Sequence, residues 1–73
     1  MKNYTKKQLE KIFSDFRKGV KECINEMPDL SLDEVAYDYA QILIDEHADV
    51  EKSIKKQYMN VQDVKGFIAD KIC

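Results

Sequence analysis

Seventy-three residues, 44% hydrophobic and 36% charged, with a formal charge of -2, hold one domain, spanning 1–73, and one small core. Such a mixture is too apolar for a disordered chain, and no stretch approaches the roughly 20 apolar residues that a membrane span takes. Met1, Lys2 and Asn3 lead straight into polar sequence with no apolar leader region, so a cytoplasmic protein is expected.

One start signal recurs three times: an apolar residue, a capping residue, a carboxylate or amide three places on, then another apolar residue. The sets are Tyr4, Thr5, Gln8, Leu9; Leu30, Ser31, Glu34, Val35; and Met59, Asn60, Asp63, Val64. Each reads as a capping box with a hydrophobic staple, in which cap and third-position side chains satisfy each other's backbone N–H groups. The first predicted helix runs from Lys6 to Met27, with Leu9, Ile12, Phe13, Phe16, Val20, Cys23, Ile24 and Met27 on one face. Pro28 ends it, because a residue before proline avoids the helical region. Gly19 in its middle is either a point of close helix approach or a tolerated weakness.

The second predicted helix starts at Leu32 and continues to Tyr58. Leu32, Ala36, Tyr39, Ala40, Leu43, His47, Val50 and Ile54 form its central stripe, with Val35 and Ile42 on one flank and Tyr37 and Ile44 on the other. A stripe that broad suits contact with two neighbours. Its weak point is Ala48–Asp49–Val50, where Asp49 could cap a new helix, and a break there gives four helices instead of three. The third predicted helix, 61–72, presents Val61, Val64, Phe67, Ile68 and Ile72. No period-two alternation marks a strand. Short loops make consecutive helices antiparallel neighbours, so the expected fold is all-α: an antiparallel, up-down-up three-helix bundle, or four helices with the break near Asp49.

Charge is segregated along the chain. Residues 1–21 sum to +5, residues 22–51 hold ten acids and no lysine or arginine, and residues 52–73 sum to +3. Lys7, Lys11, Lys18 and Lys21 share a strip of the first helix opposite its apolar stripe, and Glu34, Asp38, Asp45 and Asp49 share an outward strip of the second, with Gln41 among them. Like charges at such spacing repel within a helix, so the strips either answer each other across the bundle or await a partner. Tyr37, Ile44 and Ala48 complete the candidate partner-binding surface on the acidic helix, unless the third helix covers them.

Catalytic and metal chemistry find little support. Cys23, Cys73 and His47 are three soft ligands, one short of a closed zinc site, and a short third helix would stop below Cys23, which argues against a disulfide. His47 falls on the apolar stripe with Leu43, Ile44, Val50 and Glu51 one turn away, a setting for a packed histidine rather than a general base. Asp45 and Glu46 are out of register with the Glu-x-x-His spacing of di-iron bundles. Without a nucleophile elbow or a glycine-rich phosphate loop, no enzyme and no cofactor is expected. Tyr39 reads as core and Tyr4 as a staple.

Three functional classes remain. The first is a protein-binding or regulatory module, with an unknown protein or a second copy of the chain as partner. The second is an acidic inhibitor that imitates nucleic acid, its carboxylates standing in for phosphates. The third is a nucleic-acid binder using the lysine strip, which a single arginine, no interleaved aromatics and a pI near 5.3 disfavour. No membrane partner is expected.

Overall fold

Thr5 begins the first helix as a complete capping box. Its hydroxyl accepts from the Gln8 N–H at 3.2 Å, and its own N–H donates to Gln8 Oε1 at 2.9 Å. A computed structural model describes residues 4–58 and 60–73, which form four helices: α1 (Lys6–Glu26), α2 (Leu32–Glu46), α3 (Ala48–Gln57) and α4 (Val64–Ile72). No strand occurs among the described residues. At 1.5 Å per residue α1 is about 31 Å long, so it runs nearly the whole 37 Å of the longest dimension. It stops ahead of Pro28, with Met27 leaving the helical region and donating its N–H to the Cys23 carbonyl.

The continuous second helix from Leu32 to Tyr58 does not form. It breaks at His47, whose non-helical backbone (φ -126°, ψ 72°) closes α2 and opens α3. The three-helix bundle therefore gives way to four helices. The break falls two residues before the expected one, and Asp49 lies in the first turn of α3 rather than at its cap. At the third box the helix begins three residues later than predicted. Asn60 lies in the turn, Asp63 takes the cap by accepting from the Gly66 N–H, and Met59 lies outside the described residues. Ser31 holds the cap position of α2 with no side-chain hydrogen bond, so the second box is only positional.

α1 and α2 meet in opposite order along the chain: Phe16 with His47 nearer one end, Gly19 and Cys23 with Tyr39 nearer the other. A Cβ on Gly19 would stand 3.0 Å from the Tyr39 ring, so a larger residue there requires the ring to shift by a few tenths of an ångström. α4 packs chiefly on α2 and also along α1, with Phe13 against Phe67 and Arg17 against Lys71. The core combines Leu9, Phe13 and Val20 of α1, Val35, Ala36, Ala40 and Leu43 of α2, Val50 and Ile54 of α3, and Val64, Ile68 and Ile72 of α4. The two alanines of α2 leave room for the larger residues facing them, which suits an interior that tolerates few voids.

α3 is tied back to the start of the chain. The Tyr4 N–H donates to the buried Ser53 hydroxyl at 3.1 Å, and Gln57 donates its side-chain amide to the Tyr4 carbonyl. His47 sits half-buried between the rings of Tyr4 and Phe16, edge-on to both at 6.3 Å. It is a packed histidine at a helix joint.

Candidate interaction surface

The outward face of α2 is built by the same period that buries its core. Val35, Ala36, Ala40 and Leu43 face inward, which turns Glu34, Asp38, Gln41 and Asp45 to solvent. Asp33 and Glu34 lie in the first turn, where the helix dipole favours anions. Asp33, Glu34, Tyr37 and Asp38 line an open depression of about 380 Å³. Tyr37 is 43% exposed, and the Lys65 ammonium stands 4.5 Å from the centre of its ring. Ile42, equally exposed, borders the acidic strip on its other side.

Of the residues singled out from the sequence, Glu34, Tyr37, Asp38 and Asp45 come together as one exposed surface. Asp45 accepts from the Gln41 amide at 3.0 Å. Ile44 does not join them, because it is half-buried against the core. Ala48 and Asp49 belong to α3, past the break, so they leave the strip; Ala48 is exposed and Asp49 half-buried. Sequence reading missed Ile42 and Leu32 as surface residues, both 43% exposed, because helical spacing placed them on the apolar stripe or its flank. Leu32 precedes the first buried position of its helix. With Met27 and Leu30 it leaves the turn between α1 and α2 apolar and open.

Lys7, Lys11, Lys18 and Lys21 are all exposed on α1, as their spacing requires. Among the described residues none of the four, and neither Glu34 nor Asp38, takes part in an ion pair. Contact between α1 and α2 runs through Phe16, Gly19 and Cys23 instead, so the two strips do not answer each other within one chain. α1 also carries its charge against its own dipole, with Lys6 and Lys7 in the first turn and no basic residue in the last. In α3 the layout is the opposite: Asp49 and Glu51 lead, Lys55 and Lys56 follow, and Glu51 pairs with Lys55 at 3.5 Å.

On the other side of α1, charged groups are committed to the fold. The Arg17 guanidinium donates twice to the Lys71 carbonyl, at 3.1 Å from Nε and 2.6 Å from Nη2, satisfying the end of α4. Below it Phe13, Phe67 and Tyr58 form a ring cluster, with Lys71 over Phe67 and Lys6 over Tyr58. The crevice of about 340 Å³ between Glu10, Phe13, Arg17, Tyr58 and Lys71 is the open edge of this clasp.

Set against protein-family models, curated proteins and solved structures, the chain matches none. The chemistry of its own residues therefore carries the functional reading. Among the described residues no three histidine, cysteine or acidic side chains could share a metal ion, and no helix is long and apolar enough to cross a membrane. Cys23 and Cys73 are free thiols, one half-buried and one exposed. Partial burial, and then the neighbouring Cys23, with which Tyr39 makes a side-chain hydrogen bond, push the Tyr39 phenol up from its ordinary value.

Proposed function

We propose that the chain is a small non-enzymatic binding or regulatory module that docks a protein partner on the outer face of α2, through Glu34, Tyr37, Asp38 and Asp45 with Ile42 at the edge. What supports this most directly is exposed carboxylates that make no ion pair among the described residues, beside an exposed aromatic ring. Charges that served only solubility would be mixed in sign, as they are on α3. Here one sign is collected and rimmed with apolar area, the composition of a recognition surface. Such a face fits a basic partner segment, whose cations meet the carboxylates and the Tyr37 ring together.

The test is affinity capture from native lysate with the wild type beside Glu34→Lys/Asp38→Lys, followed by binding of the purified candidate. A partner held by the wild type and lost on charge reversal, with Lys7→Gln/Lys11→Gln unaffected, is the expected result. Identical capture of a partner other than the chain itself by wild type and the reversed variant would overturn the assignment. A captured nucleic-acid-handling protein that DNA or RNA competes away would move the reading to phosphate mimicry.

A further inference from the structure

The two charged strips share one spacing. Lys7, Lys11, Ser14 and Lys18 follow each other by four, three and four residues along α1, and Glu34, Asp38, Gln41 and Asp45 do the same along α2. Each acid therefore stands twenty-seven positions after its lysine, and the neutral Gln41 stands twenty-seven after the neutral Ser14. Both strips cover about 16 Å of helix, and only helices running in the same direction bring all three lysines opposite all three acids. Within one chain α1 and α2 run in opposite directions with the strips off their seam, so this match cannot be realised internally.

Resting on the reading of α2 as a docking face, we infer that its occupant is the lysine strip of α1 from a second copy of this chain, with Lys7 facing Glu34, Lys11 facing Asp38 and Lys18 facing Asp45. The aliphatic stems of the lysines cover Tyr37 and Ile42, which flank the acids, while the ammonium groups reach the carboxylates. Lys65 over Tyr37 shows that this ring accepts an ammonium at its face. Each contact pairs the α1 face of one copy with the α2 face of another. Three exposed ion pairs with modest apolar cover give weak association, with a dissociation constant on the order of 0.1–1 mM that rises with salt.

Sedimentation velocity on the full chain, from about 10 μM to 1 mM in low and high salt, reads this directly. The expected result is a weight-average mass that climbs above 8.6 kDa with concentration in low salt and returns to it in high salt. Two double variants of equal net charge test the register. Lys11→Glu/Asp38→Lys keeps every facing pair opposite in sign and associates like the wild type. Lys11→Glu/Glu34→Lys sets like charges against each other at two positions and weakens association by about tenfold. All of these positions are exposed, so each variant is expected to keep its helices, which far-UV circular dichroism checks. A wild type monomeric at 1 mM in low salt, or equal association of the two double variants, overturns self-pairing. If that monomer still binds an oligolysine peptide, with shifts at the Tyr37 resonances, α2 remains a docking face for another protein. Binding to neither removes both readings.

Discussion

The two flanks of α1 use the same residue types to different ends. On the α4 side Arg17, Lys6 and Lys71 hold a carbonyl or an aromatic face, and the rings beneath them belong to the packed interior. On the outer side Lys7, Lys11 and Lys18 stand in solvent, in an order that opposes the helix dipole. A cation that stabilises this fold is recognisable by the acceptor or ring it meets, not by its charge. The lysines that meet neither are the ones available to an outside partner.

The sharpest way to break the contrast is to remove the floor of the clasp. Phe13→Ala deletes a ring from the core and should cost about 3–5 kcal/mol in chemical denaturation, whereas Lys11→Ala should stay within about 0.5 kcal/mol. A similar loss for both would erase the distinction between the flanks. Arg17→Met keeps the aliphatic stem but removes both hydrogen bonds to the Lys71 carbonyl, with an expected cost of about 1–2 kcal/mol and faster amide exchange at the end of α4. The caps sharpen the same lesson. Thr5→Ala should cost about 1 kcal/mol, while Ser31→Ala, which loses no cap hydrogen bond, should be nearly neutral by thermal melting.

The smallest effect is titratable. Because the folded state holds the Tyr39 phenol above its ordinary value of 10.0, its contribution to stability is complete below pH 10 and is lost as pH rises beyond that, where the unfolded chain ionises first. Tyr39→Phe should therefore show a shallower loss of stability above pH 10 than the wild type, measured by urea midpoints. An identical slope would mean that the phenol does not feel its burial.

What could be read from the residues was whatever depends on near neighbours. Thr5 and Gln8 satisfy each other across three positions, and the stripe from Leu9 to Val20 needs only the helical period, so α1 is legible almost to its ends. Asp63 was legible as part of a box but not as the cap. Its carboxylate takes the Gly66 backbone N–H, an acceptor role that any capping residue of the turn could have filled in the sequence. The joint at His47 carries neither glycine nor proline, and the rings that pack on it lie far off in the chain, in Tyr4 and Phe16. On the candidate surface, helical period placed Glu34, Tyr37, Asp38 and Asp45 together. It could not decide between Ile44 and Ile42, because that depends on which flank of α2 a neighbouring helix covers.

The bonds from Tyr4 to Ser53 and Gln57, and from Arg17 to Lys71, join residues 49 to 54 positions apart. During synthesis, then, α1 leaves the ribosome with its greasy side bare, gains a first cover from α2, and keeps its α4 flank open until α4 follows. The ties to Ser53, Gln57 and Lys71 come last, and a nascent chain stalled before residue 57 would be a natural client for chaperones and proteases.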